Sequence, residues 1–185
     1  MTTEHDRLTG QLASVLTGAL GEGVEICAVE RLKGGYSRRM WAFESTGVRS
    51  GTACWILCTD ADDGVVGAHS LSRHREARLL DYVYRAGLPV PAIVASGDGP
   101  EPFGAAWFVM QRLSGIATVG PLLRDPEISA MRTTLGHQKA GLLARIHALA
   151  VPDDVLGPLP APERIAVIET HRWAEALTET PGAQT

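Results

Sequence analysis

What most limits the fold of this chain is a succession of strand-length apolar runs, each closed by glycine or proline, with one helix set among them. Val24 to Leu32, Arg39 to Glu44 and Cys54 to Thr59 read as three strands. Gly34-Gly35 lies in the first connection, and Ser45-Thr46-Gly47 through Gly51 makes the second. Asp60 to Gly67 is an acidic, glycine-bearing loop leading to a helix from Ser72 to Arg85, which Gly87 and Pro89 end. After the break Gly87-Leu88-Pro89-Val90-Pro91, Pro91 to Ala95 and Ala105 to Gln111 read as two further strands. The loop between them opens with Ser96-Gly97-Asp98-Gly99-Pro100, which supplies positive φ and chain reversal. The order predicts an α+β unit: a twisted antiparallel sheet of about five strands with the helix packed against it.

Helical periods flank this unit. Leu8, Leu12, Val15, Leu16 and Ala19 recur at helical spacing until Gly21 and Gly23 stop them. From Pro126 the pattern is helical throughout. Ile128, Met131, Leu135, Leu142, Ile146 and Leu149 share one stripe, and Glu163 to Leu177 forms another helix beyond a proline-rich link from Pro152 to Pro162. The composition shift near Ser114 divides the chain into a strand-rich unit, 1–113, and a helical one, 114–185. Ile128, Leu135, Leu142, Ile146, Ile165 and Ile168 need apolar partners, so exposed helices and self-association are expected. Met131 and the tryptophans read as core.

Composition excludes several classes. With 185 residues the chain can bury a sizeable core, and 45% hydrophobic with 21% charged residues fits a globular protein. A net charge of −4 argues against a nucleic-acid partner, which needs a basic face. No run approaches the roughly 18 apolar residues of a membrane span, and no targeting segment is visible. Cys27, Cys54 and Cys58 lack metal spacing. Cys54 and Cys58, four apart in a strand, share a face and read as small apolar fillers, which suits a reducing cytoplasm. Lys33 and Lys139 are the only lysines, so nearly all cations are arginines.

Three places carry candidate chemistry. Gly34 and Gly35 are either an ordinary turn or a loop whose N–H groups approach a phosphate closely, with Ser37 adding a hydroxyl. Glu76 shares the buried stripe of Leu80 and Val83, and a carboxylate there must be paired or turned outward. Its partner is either a cation on the third strand or Arg73, one turn back at a solvent edge. Met110-Gln111-Arg112-Leu113 is either a plain edge strand or a link between two lobes. His137 and His147, ten apart on the long helix, read as packing residues, and no histidines form a metal set.

Taken in order, the glycine turn, the strand Cys54 to Cys58, the helix with Glu76, the proline break and the run Trp107 to Gly115 resemble one family. It is that of the aminoglycoside phosphotransferases and choline-kinase-like enzymes, and the resemblance covers roughly residues 25–150. It implies a protein-kinase-like small lobe followed by the first helices of an incomplete large lobe. It also implies ATP with Mg, and transfer of the γ-phosphoryl group to a small-molecule hydroxyl. Carried over by residue, Gly34, Gly35 and Ser37 meet phosphate, and Met110 borders the adenine pocket. Backbone groups of Gln111 and Leu113 pair with the adenine edge, and Glu76 pairs with a third-strand cation.

The chain departs from that pattern at two positions. Arg38 follows Ser37 where relatives carry a small polar residue. The strand-cation position is Cys58, with no lysine or arginine between Gly51 and Leu71, so Lys33, Arg38 or Arg39 replaces the cation or phosphate binding is weakened. No His-x-Asp loop with a following Asp-x-Asp pair, the order of the family's catalytic and metal-binding segments, occurs before Thr185. The resemblance thus implies a nucleotide-binding lobe without its catalytic loop. The alternative is a non-catalytic, pseudokinase-like module that binds nucleotide or a partner.

Overall fold

A computed structural model describes residues 4–33, 38–47, 49, 51–60, 71–115, 120, 124, 126, 128, 131–157 and 162–179. Helix α1 (Glu4–Leu20) precedes strands β1 (Val24–Arg31), β2 (Arg38–Gly47) and β3 (Gly51–Asp60). Helix α2 (Arg73–Arg85) follows, then β4 (Ile93–Gly97) and β5 (Trp107–Gln111). The five strands form one antiparallel sheet with helices added, as the sequence predicts, and their order in it is β1-β2-β3-β5-β4.

The β2–β3 hairpin is longer than the sequence suggests. Its ladder runs from Arg38↔Asp60 to Gly47↔Gly51, so Ser45-Thr46-Gly47 is strand. The reason is local. Ser45 is fully buried and its hydroxyl accepts the Trp55 indole N–H at 2.7 Å, which satisfies a polar residue inside the ladder. Gly51, at φ +64, supplies the positive φ that ends the reversal. In β1 the register shifts between Cys27 and Glu30, and Ala28 takes φ +52, a bulge that sequence pattern does not reveal.

The pleat sorts side chains onto two faces. On one, Leu12 and Leu16 of α1 pack with Ile26, Phe43, Leu57, Trp107 and Val109. On the other, Cys58, Ala77 and Phe108 are buried together, flanked by Met40, Leu80, Ile93 and Met110. Each large aliphatic or aromatic side chain so buried contributes about 1.5–3 kcal/mol. Gly97 lies flat against Trp107; a Cβ there would stand 2.7 Å from the indole nitrogen, which donates to the Glu101 carbonyl. Cys58 is an apolar filler, as expected. Cys54 is exposed near the strand's start, so the filler reading fails for it.

Helices α3 (Arg132–His147), α4 (Asp153–Leu156) and α5 (Pro162–Glu179) follow. Residues 145–154, from the end of α3 into α4, meet α2 and the turn after it through side-chain donors that end on backbone carbonyls. Tyr82 Oη donates to Ala150 O at 2.7 Å, Arg145 Nη2 to Gly87 O at 2.7 Å, and Arg78 Nη2 to Asp154 O. Leu143, Ile146, Ile165, Val167 and Leu177 are exposed. So are Met131 and Trp173, against the expectation that they are core. An apolar residue on a helix is buried only where another element covers its face, and periodicity alone does not supply the cover. Among the described residues no helix is long and apolar enough to cross a membrane.

Candidate functional site

The start of β2, the end of β3 and the first turn of α2 converge on one charged cluster. Register places Arg38 opposite Asp60 and Met40 opposite Cys58, so the pleat puts Arg38, Met40 and Cys58 on the face that α2 covers. Helix α2 begins at Ser72, whose hydroxyl accepts the Arg75 N–H at 3.3 Å. Ala77, with its small side chain, lets the helix lie close against Cys58 and Phe108. That docking brings Arg73 and Glu76, one turn apart, to the cluster, and a carboxylate in the first turn also meets the helix dipole favourably.

Glu76 is held from two sides. Its Oε1 lies 2.9 Å from Arg38 Nη1, and its Oε2 accepts from Arg73 Nη1. Arg73 is 1% exposed; its Nε lies 2.8 Å from Asp60 Oδ1 and its Nη2 donates to Leu71 O at 2.8 Å. Both partners named for Glu76 from sequence are therefore half right. Arg73 does pair with it, but in the interior rather than at a solvent edge. A strand cation also pairs with it, from β2 rather than β3.

Cys58 occupies the expected strand-cation position, buried beside this cluster. Burial pushes its thiol up to about 11, against the opposing pull of Arg38 and Arg73. The group is a neutral thiol at physiological pH and offers no charge to a phosphate.

Met110, on β5, pairs with Ile56 of β3 and flanks the Cys58–Phe108 cluster, so Cys58, Glu76 and Met110 share one region. Gln111 and Leu113 lie beyond it and are exposed. The Gln111 N–H donates to Ala92 O at 2.9 Å and the Arg112 N–H to Cys54 O at 2.9 Å. Gly34, Gly35 and Ser37 lie outside the described residues.

Sequence reasoning missed Asp60 and the burial of Arg73. The signal was present: an acid closing the third strand, and an arginine three residues before Glu76 on the same helix. Among the described residues no group of three His, Cys, Asp or Glu could hold a metal. A cavity of about 600 Å³ lies elsewhere, on the α1 face, lined in part by Arg31, Arg39, Trp41 and Phe103. It does not include the charged cluster.

A five-stranded antiparallel sheet carrying a helix whose glutamate meets a strand cation is a protein-kinase-like small lobe. The chain belongs to the phosphotransferase enzyme family (APH), whose profile matches residues 28–182. Among solved structures it is similar to a provisionally assigned aminoglycoside phosphotransferase from Ralstonia eutropha JMP134, with a TM-score of 0.56 and 19% sequence identity. The match covers 97% of this chain and 49% of that one, so the chain spans about half the length of that structure. No curated protein matches it in sequence.

Proposed function

We propose that residues 1–113 form the nucleotide-binding lobe of an ATP-dependent small-molecule kinase and that 114–185 begin its helical, acceptor-binding lobe. The observation that carries this is Glu76, turned toward the sheet and paired with Arg38 beside Cys58, in a chain of the phosphotransferase enzyme family. In this reading Met110 borders the adenine, and Gln111 O and the Leu113 N–H meet its edge. Gly34, Gly35 and Ser37 approach the phosphates. MgATP would supply the transferable phosphoryl group, which the protein would position and whose charge it would help neutralise. The phosphoryl acceptor is a small-molecule hydroxyl.

A second reading, a non-catalytic nucleotide- or partner-binding module, is favoured by the neutral thiol of Cys58 where a cation is expected. Titration calorimetry with adenosine and MgATP, followed by an assay for phosphoryl transfer to hydroxyl acceptors, tests both. We expect weak saturable binding of both ligands and no transfer by the 185-residue chain. No binding of either ligand at millimolar concentration would sink the nucleotide cleft, and measurable transfer would sink the non-catalytic reading.

The exposed Leu143, Ile146, Ile165 and Leu177 support a further part of the proposal, self-association through α3 and α5. Sedimentation velocity should show a concentration-dependent rise in mass. A monomer at every concentration would refute it.

A further inference from the structure

We propose that Arg38 is the phosphate-directed cation of this cleft, supplied from β2 in place of the third-strand cation that Cys58 has displaced. The assignment rests on the nucleotide-cleft reading above and names which residue meets the phosphates. Its first support is the pleat. Arg38 lies two residues before Met40, which faces Cys58 across the ladder, so Arg38 and Cys58 are diagonal neighbours on one face. Such neighbours stand about 7–8 Å apart at the backbone, within the reach of an arginine side chain.

The second support is the partner. The guanidinium holds Glu76 at 2.9 Å, the pairing that a cation on β3 would have made. The third is access. The Arg38 side chain is 41% exposed, whereas that of Arg73 is 2% exposed and its nitrogens meet Asp60, Glu76 and Leu71. A guanidinium has five N–H donors in a rigid fork, so one edge can hold a carboxylate while another meets a phosphate oxygen. The fourth is chain position, because Arg38 opens β2 directly after Gly34 to Ser37.

The rival cations fit less well. Arg39 has the opposite pleat parity and lies with Trp41, its guanidinium carbon 5.9 Å from that ring. Lys33 lies just past the end of β1, one strand farther from β3 than Arg38 is. This division of labour also accounts for a thiol at position 58. With two guanidinium groups already acting on that position, a third cation there would meet repulsion as well as the pull of Glu76.

The test is calorimetric titration of adenosine and MgATP into the wild-type chain, Arg38→Ala, Arg38→Gln and Arg38→Ala/Cys58→Lys. Thermal unfolding confirms that each is folded. Both single variants should lose about tenfold or more in MgATP affinity while keeping their adenosine affinity, as expected for loss of a charge-assisted contact to phosphate. The double variant should regain part of the loss, because lysine at 58 restores a cation beside Glu76. Equal losses for adenosine and MgATP would reduce Arg38 to a structural role and overturn the assignment. Unchanged affinities in both single variants would overturn it too, while leaving the nucleotide cleft intact. Absence of adenosine binding by the wild-type chain would instead remove the cleft on which the assignment rests.

Discussion

Arg73→Leu should lower stability by about 3 kcal/mol, the lower end of the cost of removing one partner from a buried ionic cluster. Arg73 is buried, and it bridges Asp60 at the end of β3 to Glu76 on α2. Without it Asp60 loses the cation beside it, in a place where water reaches it only in part. Glu76 keeps Arg38, which is why the upper end of the range is not expected. With a denaturant slope of roughly 1–3 kcal/mol per molar, the urea midpoint should fall by about 1–3 M. Arg73→Lys should not restore it, since a single ammonium cannot reproduce the fork that meets two carboxylates and the Leu71 carbonyl. A loss below about 1 kcal/mol would place the cluster with ordinary surface ion pairs.

The second large effect is alkaline. Below about pH 9 the Cys58 thiol is protonated in both the folded and unfolded chains, and it contributes nothing to pH dependence. Above that the unfolded chain releases the proton, while burial holds it in the folded chain up to about pH 11. The unfolded state then binds fewer protons than the native state, so stability falls as pH rises through this window. A shift from 9.0 to about 11 corresponds to about 2 kcal/mol lost by pH 11, and about 3 kcal/mol well above it. Other groups titrate in the same range, so the measurement is a difference. Urea unfolding of wild type and Cys58→Ala, at pH 8 and pH 11, should show the wild type losing about 2 kcal/mol more. Parallel loss in the two proteins would mean that the thiol is not buried as described.

The strands along the chain and the side of α2 that meets the sheet were legible, because both depend on short-range period. The stripe of Leu80 with Glu76 names a helix face without any knowledge of the sheet. The strand that supplies the cation was not legible. Lys33, Arg38 and Arg39 differ in the face they point to, and that depends on pleat parity and on a register that only cross-strand pairing fixes. Arg73 escaped for a related reason. An arginine at the start of a helix reads as solvated, and its burial follows from Asp60, thirteen residues earlier, arriving beside it. The β2–β3 reversal was misplaced because Ser45 and Thr46 look like turn residues until the Trp55 indole is seen to satisfy Ser45. The α3 and α5 stripes were found, but periodicity does not say what would cover them.

The contacts between α2 and the helical segment divide unevenly in what mutation can do to them. Tyr82, Arg78 and Arg145 supply donors that few other side chains could replace, whereas Ala150 and Asp154 supply only carbonyl oxygens. Every amino acid carries that oxygen, proline included. The acceptor positions Ala150 and Asp154 can therefore drift in sequence with little effect on how α2 is held. Helix α2 carries Glu76, so the geometry around Arg38 depends on the donors Arg78, Tyr82 and Arg145 more than on the residues that accept from them.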